Sequence, residues 1–274
     1  MARCAAWGTG RGAGGLGNGR WGAECGAWAQ WHSGSMALFV LVHSPSVGPA
    51  TWQPVAGRLR ELGHEAVVPS LLGVGDGGPP FWPRVVEAVR AGLADGGGGG
   101  SGGGGGDEPV VLVAHSNAGV FMPVVVRGLG RPVRCLIFAD ATIPGPGEAT
   151  PMAEEEFLPF LRDLAGPDGR LPRWTDWWGE VDLGPMFPDA RTRDVITAEQ
   201  PRLPYAYYLE QVPAFAGWDE QPCGYVRFSE GYEGQAARAR ERGWPVLEVP
   251  GEHLHQIVDP DAVANAILAL AASP

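Results

Sequence analysis

Short apolar runs alternate with amphipathic helical patterns from Met36 onward, and this alternation restricts the fold more than any other feature of the sequence. The runs are rich in β-branched residues and nearly continuous, as in strands that are buried on both faces of a sheet. Repeated strand and helix predict an α/β fold, with a mostly parallel, doubly wound sheet and right-handed crossovers. The predicted strands cover 37–43, 64–71, 109–115, 133–140, 223–229 and 245–251, and the predicted helices cover 51–62, 81–93, 117–129, 232–242 and 260–272.

Three segments depart from this alternation. Residues 1–35 are rich in Gly, Trp and Ala without periodicity, and they are predicted to form a disordered N-terminal extension before a domain at 36–274. Residues 96–106 are glycine apart from one serine, and they predict a flexible loop. Residues 145–218 are rich in Pro, Trp and acidic side chains, and they predict a small lid inserted into the fold.

The charge balance restricts the partners of the chain. It has 20 basic and 31 acidic residues, for a net charge of −11. Nucleic acids and anionic membrane surfaces attract basic proteins, so neither is an expected partner, and a small-molecule substrate is expected instead. All the basic residues are arginine. The lack of lysine excludes a P-loop, a Schiff-base lysine and a Ser-Lys dyad.

The four cysteines are scattered, at Cys4, Cys25, Cys135 and Cys223, without the spacing of a zinc site. The sequence therefore predicts neither a metal site nor a disulfide framework, and it favours a reducing, cytoplasmic location. No run of 18 apolar residues is present, so no membrane span is expected. No cofactor is expected either.

The strongest chemical motif is Ala114-His115-Ser116-Asn117-Ala118, which lies directly after an apolar strand and directly before a helix. This is the small-x-Ser-x-small pattern of a nucleophile elbow. Small residues are needed on both sides of the serine because the tight turn brings the strand and helix backbones close together. The pattern predicts that Ser116 is a nucleophile whose hydroxyl stands above the sheet, with the Asn117 amide placed to stabilise developing negative charge.

Together with two further segments, this motif gives the chain from Met36 onward a resemblance to the α/β-hydrolase fold family. VLVHSPSVGPATW resembles the oxyanion loop of that family, VAHSNAG the elbow, and PGEHLHQIVDP the histidine loop. The sequence also resembles the branch that contains hydroxynitrile lyases and small esterases. The resemblance implies an α/β-hydrolase sheet and a catalytic set of serine, acid and histidine.

His253 is the candidate general base, because it follows the last predicted strand and matches the chain order of the family's catalytic set. His255, in the loop before the final helix, is the alternative. The identity of the acid stays open. The resemblance implies an acid after strand 223–229, but Tyr232 occupies the usual position there.

Three carboxylates are candidates for that acid. Asp140 ranks first, since the haloalkane-dehalogenase branch places its acid after the corresponding earlier strand. Glu230 ranks second and Glu233 third, because they flank Tyr232. A competing interpretation of Asp140 is that it only caps a turn.

The oxyanion loop departs from the family pattern. Pro45 stands where the family has an amide donor, and proline has no N–H. A shift of the loop by one residue would let the Ser46 amide donate instead, beside the amide of Asn117. His43, at the end of the first strand, is expected to hold loop backbone through hydrogen bonds. The residues proposed to line a substrate pocket are His43, Pro45, Trp174, Trp178 and Tyr208.

These patterns support three hypotheses for function. The first is a serine hydrolase that cleaves an ester, thioester or lactone of a small, largely apolar substrate through an acyl-enzyme. The second is a lyase or cyclase that uses Ser116 and His253 only for proton transfer, and Pro45 favours it. The third is a non-catalytic binding module that retains the fold.

Overall fold

Eight strands form the two sheets of the protein, in a computed structural model that describes residues 36–96, 108–145 and 147–272. Six strands build one parallel sheet in the order β2-β1-β3-β4-β7-β8. The strands are β1 Leu38–Val42, β2 Glu65–Val67, β3 Val110–Ser116, β4 Val133–Ala141, β5 Ala149–Pro151, β6 Gln211–Pro213, β7 Cys223–Arg227 and β8 Val246–Glu248. The parallel α/β sheet predicted from the sequence is confirmed.

The helices pack on both faces of this sheet. They are α1 Gln53–Glu61, α2 Trp82–Gly96, α3 Met122–Gly128, α4 Leu158–Leu164, α5 Glu180–Leu183, α6 Ala190–Glu199, α7 Tyr205–Tyr208, α8 Glu233–Glu241, α9 His255–Val258 and α10 Pro260–Ala272. Short 3₁₀ helices cover Pro49–Thr51, Asn117–Phe121, Glu155–Phe157, Trp174–Trp177, Gly184–Met186 and Glu230–Tyr232. None of the helices in the described ranges is long and apolar enough to cross a membrane.

Alternate side chains of each central strand enter two different apolar layers, because successive residues of a strand face opposite sides of the sheet. In β1, Val40 and Val42 contribute to the layer that contains Val85 of α2 and Val125 of α3. Phe39 of the same strand contributes to the layer beneath α1 and α10. Strand β3 lies between β1 and β4, so its carboxyl end is flanked by a paired strand on both sides.

The chain between the end of β4 at Ala141 and the start of β7 at Cys223 includes the small antiparallel pair of β5 and β6. This segment contains most of the lid that the sequence predicts at 145–218. The predicted disordered extension at 1–35 lies outside the described residues. So does the predicted glycine-rich loop, apart from Gly96, which ends α2.

Candidate active site

Ser116 and Asp140 share an unusual backbone conformation at the carboxyl end of the sheet. Ser116 has φ of 60° and Asp140 has φ of 44°, and they are the only two non-glycine residues with positive φ in the described part of the chain. Such conformations cost of the order of 1–3 kcal/mol, and they persist where the surrounding structure enforces them. The amide of Thr142 donates to the Ser116 carbonyl at 3.0 Å, which ties the elbow to the end of β4.

Gly119 explains why the turn after Ser116 can be so tight. A Cβ at this position would collide with the carbonyl oxygen of Thr142, which is backbone and has little room to move. The sequence pattern points to Ala118, two residues after the serine. The close approach also includes the next residue, where only glycine fits without displacement.

We expect Gly119→Ala to lower the free energy of unfolding by about 1–3 kcal/mol, because overpacking forces a backbone shift at the elbow. Gly57→Ala is the matched control. Gly57 lies inside α1, and a Cβ added there would meet nothing within 4 Å, so alanine should raise stability by about 0.5–1 kcal/mol. Urea unfolding of the two variants measures both changes. Equal changes in the free energy of unfolding of the two variants would contradict the explanation that close packing requires glycine at position 119.

A chain of hydrogen bonds joins the predicted nucleophile, base and acid. His253 Nε2 lies 3.0 Å from Ser116 Oγ, and His253 Nδ1 lies 2.8 Å from Asp140 Oδ2. Since an ionised carboxylate only accepts, Nδ1 carries the proton and Nε2 accepts from the serine hydroxyl. This is the orientation in which the imidazole can take the proton of Ser116.

Asp140 is completely buried and accepts hydrogen bonds on both carboxylate oxygens. The Oδ1 atom accepts from the amides of Phe228 and Ser229 at 2.9 and 3.1 Å. The Oδ2 atom accepts from the Ser229 hydroxyl at 2.6 Å, in addition to His253. A buried carboxylate requires such partners, and here they fix its orientation towards the imidazole.

The structure places the alternative acids and the alternative base elsewhere. Glu230 is exposed to solvent. Glu233 pairs with Arg227 and Arg240 at 3.0 and 2.8 Å. His255 begins α9, with its ring 6.0 Å from the ring of Phe228. Glu230 and Glu233 were therefore wrong as candidates for the partner of His253, because neither reaches the imidazole.

The loop after β1 is held by its own hydrogen bonds. Ser44 Oγ donates to Asn117 Oδ1 at 2.7 Å and accepts from the Ser46 amide at 3.2 Å. The sequence predicts that the Ser46 amide serves the oxyanion, but in this arrangement it donates within the loop. Ser46 Oγ lies 3.0 Å from the hydroxyl of Tyr208.

His43 supports this loop as the sequence predicts. Its Nδ1 donates to the Ser44 carbonyl at 2.8 Å, and its Nε2 accepts from the Leu71 amide at 3.0 Å. Burial lowers its pKa to about 4, so the ring is neutral and can accept from Leu71. Both ring nitrogens are engaged with backbone, and the role of this histidine is structural.

A cavity of about 260 Å³ lies in front of Ser116 and His253. Trp174, Trp178 and Tyr208 line it, as the sequence predicts, but His43 and Pro45 do not. Both of these are buried, and they were wrong as pocket residues. Six aromatic residues and two carboxylates contribute to its wall. Its aromatic residues are Phe157, Trp174, Trp177, Trp178, Tyr208 and Tyr232, and its carboxylates are Asp182 and Glu252.

Sequence reasoning missed two rings that stack on the imidazole of His253. The ring of His115 lies 4.6 Å away, and its Nε2 lies 2.8 Å from the His253 carbonyl oxygen. Burial and the neighbouring His253 hold the pKa of His115 well below its usual value. The ring of Tyr232 lies 4.7 Å away and is nearly parallel, at 5°. The only signal for Tyr232 was its position where the family usually has the acid.

Comparison with known proteins agrees with this geometry. The chain is 29% identical over 260 residues to a carbendazim hydrolyzing esterase from Nocardioides sp. (strain SG-4G), covering 86% of this chain and 100% of that protein. Among solved structures, an extracellular alpha/beta-hydrolase from a Paenibacillus species superposes with a TM-score of 0.64 at 17% identity, covering 85% of this chain and 98% of the other. A pyrethroid hydrolase from Sphingobium faniae JZ-2 superposes with a TM-score of 0.60 at 22% identity, covering 88% and 99%.

The sequence model of one protein family matches most of the chain. It matches residues 39–266, which include the β1 loop, the Ser116 elbow and the His253 loop. The parallel sheet from Phe39 onward, the strained serine that ends β3 and the histidine after β8 all lie within this range. The chain belongs to the alpha/beta hydrolase family.

Proposed function

We propose that the protein is a serine esterase that cleaves an ester, thioester or lactone of a small, largely apolar substrate through an acyl-enzyme. The observation that carries this proposal is the hydrogen-bond chain from Ser116 through His253 to Asp140, which opens onto the aromatic cavity. A serine hydroxyl is a weak nucleophile unless an adjacent base takes its proton. The chain supplies that base together with a group that fixes its tautomer.

The proposed reaction has two stages. Ser116 Oγ attacks the carbonyl carbon while its proton passes to His253 Nε2, and the tetrahedral intermediate then expels the alcohol, which takes that proton. Water next attacks the acyl carbon, again with His253 as base, and Ser116 is released. The amide of Asn117 stabilises the oxyanion from the start of the helical segment after the elbow.

The cavity supports a compact aromatic substrate. A volume of about 260 Å³ walled by tryptophan and tyrosine rings favours flat apolar groups over long acyl chains. The name of the Nocardioides relative, a carbendazim hydrolyzing esterase, makes carbendazim a natural compound to test.

The test combines active-site labelling with a substrate panel. A fluorophosphonate probe should add once to the folded protein, and peptide mapping should place the adduct on Ser116. The panel contains p-nitrophenyl acetate, benzoate and decanoate together with carbendazim. We expect the benzoate to be turned over with a higher kcat/KM than the decanoate. Folded protein that is neither labelled nor active on any member of the panel would refute the proposal.

One observation favours the lyase alternative. Pro45 has no N–H and the Ser46 amide donates to Ser44 Oγ, so the loop presents fewer donors to an oxyanion than an ester hydrolase normally uses. Labelling of Ser116 without hydrolysis of any panel ester would support a lyase. Binding of panel compounds without labelling would support the binding-module hypothesis.

A further inference from the structure

The side chain of Tyr232 lies against two members of the proposed catalytic set. Its ring stacks on His253, with 4.7 Å between the ring centroids and 5° between the planes. Its hydroxyl oxygen lies 3.5 Å from Ser116 Oγ. The residue is 6% exposed, so packing holds the ring and the hydroxyl in one orientation. A tyrosine placed in this way can contact the reacting oxygen itself.

The direction of the hydrogen bond follows from the neighbouring groups. Asp140 fixes the proton of His253 on Nδ1, so the hydroxyl proton of Ser116 points towards His253 Nε2. Because its own proton is directed at His253, Ser116 Oγ can only accept a hydrogen bond from the Tyr232 hydroxyl. Burial and the nearby Asp140 raise the pKa of Tyr232, so its hydroxyl stays protonated and can donate. Tyr232 is therefore the donor and Ser116 Oγ the acceptor.

The sheet order indicates which oxygen this donor serves. Tyr232 follows β7, whereas the loop at Ser44 and Ser46 follows β1, and these strands lie on opposite sides of β3. The Asn117 side chain faces the β1 loop, where its Oδ1 accepts from Ser44 Oγ at 2.7 Å, and in the proposed mechanism the oxyanion would lie on this side. Tyr232 approaches from the other side, and its hydroxyl oxygen lies 3.5 Å from the nucleophilic oxygen.

We propose that Tyr232 is a catalytic residue that donates a hydrogen bond to Ser116 Oγ when this oxygen is the leaving group, in the deacylation step. This inference rests on the proposed esterase function. In that step, the bond between the acyl carbon and Oγ breaks and its electron pair moves to Oγ. His253 Nε2 returns to Oγ the proton that it took from the attacking water, and Tyr232 keeps its own proton throughout.

The distance fits a bond that strengthens during the reaction. At 3.5 Å the contact is long for a hydroxyl pair in the resting enzyme. Catalytic hydrogen bonds are often long without substrate and tighten as charge develops. Donation to Oγ assists its departure, but it does not make the oxygen a better nucleophile, so the effect should fall mainly on deacylation.

The experiment is pre-steady-state hydrolysis of p-nitrophenyl acetate by wild type and Tyr232→Phe. The good leaving group makes acylation fast, so the burst rate reports acylation and the later linear phase reports deacylation. Phenylalanine keeps the ring stacked on His253. We expect a burst rate within about threefold of wild type and a linear phase about 10- to 100-fold slower, the usual range for a hydrogen bond to a charged group. Mass spectrometry of quenched samples should show more acyl-enzyme in the variant.

Tyr205→Phe is the matched control, because the hydroxyl of Tyr205 donates to the Leu158 carbonyl at 3.3 Å and does not line the cavity. Both of its phases should equal those of wild type. If Tyr232→Phe folds poorly, Tyr232→3-fluorotyrosine replaces it. That variant keeps the ring and a more acidic hydroxyl, and its linear phase should be at least as fast as that of wild type.

Each outcome separates this inference from the esterase proposal. An unchanged linear phase in Tyr232→Phe, or equal losses in both phases, overturns the role of Tyr232 and leaves the esterase intact. A slower linear phase for 3-fluorotyrosine also overturns it. If wild type shows neither a burst nor a trapped acyl-enzyme, the acyl-enzyme proposal fails first and takes this inference with it.

Discussion

Replacing Ser116 with alanine should reduce kcat for p-nitrophenyl acetate by about 10⁶-fold, the loss seen when the nucleophile of a serine protease is removed. The reason is geometric. Ser116 Oγ lies 3.0 Å from His253 Nε2, and the positive φ of Ser116 turns the side chain towards the cavity. Alanine removes the reacting atom and leaves the base without its partner. Steady-state kinetics at saturating ester, together with loss of fluorophosphonate labelling, measures the effect.

The control for this prediction is Ser70→Ala. Ser70 is exposed, lies outside the cavity, and should tolerate the same substitution with unchanged kcat. Thermal unfolding of both variants should remain close to wild type, since each change removes one hydroxyl. If Ser116→Ala retained more than about one hundredth of the wild-type kcat, hydrolysis would not proceed through an acyl-enzyme on this serine.

Ser116 could be predicted from the sequence because the relevant constraint is local. A strand, a tight turn and a helix occupy consecutive residues. The small side chains of Ala114 and Ala118 indicate that the strand and helix backbones approach each other closely. The structure adds the positive φ at Ser116 and the contact between Gly119 and Thr142. Both belong to the same turn, so they refine the sequence interpretation without changing it.

The carboxylate that binds His253 was harder to predict because its hydrogen-bond partners are distant in the chain. Asp140 receives hydrogen bonds from Phe228, Ser229 and His253, which are 88, 89 and 113 residues away. No local pattern around Asp140 reports these contacts, so the sequence left Glu230 and Glu233 open as alternatives. Strand order settles the geometry, because β4 lies next to β3 and directs Asp140 to the same edge of the sheet as Ser116.

The loop and the cavity show a second limit of sequence reasoning. A motif identifies Pro45 and Ser46 as the oxyanion loop, but it does not show that the Ser46 amide donates to Ser44. Likewise, the sequence showed only that Tyr232 occupies a position where the family usually has a carboxylate. Its stacking on His253 depends on how the loops after β7 and β8 pack together. Side-chain contacts between loops depend on tertiary packing, and they produce no periodic pattern of residues in the sequence.

Asp140→Asn should lower kcat by about 10⁴-fold while the protein keeps its fold, as the equivalent change does in a serine protease. The two amides of Phe228 and Ser229 can only donate, so the carbonyl oxygen of the new side chain must occupy the position of Oδ1. Its NH₂ group then faces His253 Nδ1 from the position of Oδ2. Nδ1 must accept, the ring proton moves to Nε2, and the imidazole can no longer take the proton of Ser116.

Glu230→Gln tests the same question at the alternative carboxylate. Glu230 is exposed, so neutralising it should leave kcat unchanged. Nitrogen NMR of the His253 ring provides a readout that does not depend on turnover, because it reports which ring nitrogen carries the proton in each variant. Wild type and Glu230→Gln should show the proton on Nδ1, and Asp140→Asn should show it on Nε2. The opposite result would be a large loss of kcat in Glu230→Gln with nearly wild-type activity in Asp140→Asn. It would mean that the reaction does not depend on the imidazole tautomer that the hydrogen bond between Asp140 and His253 fixes.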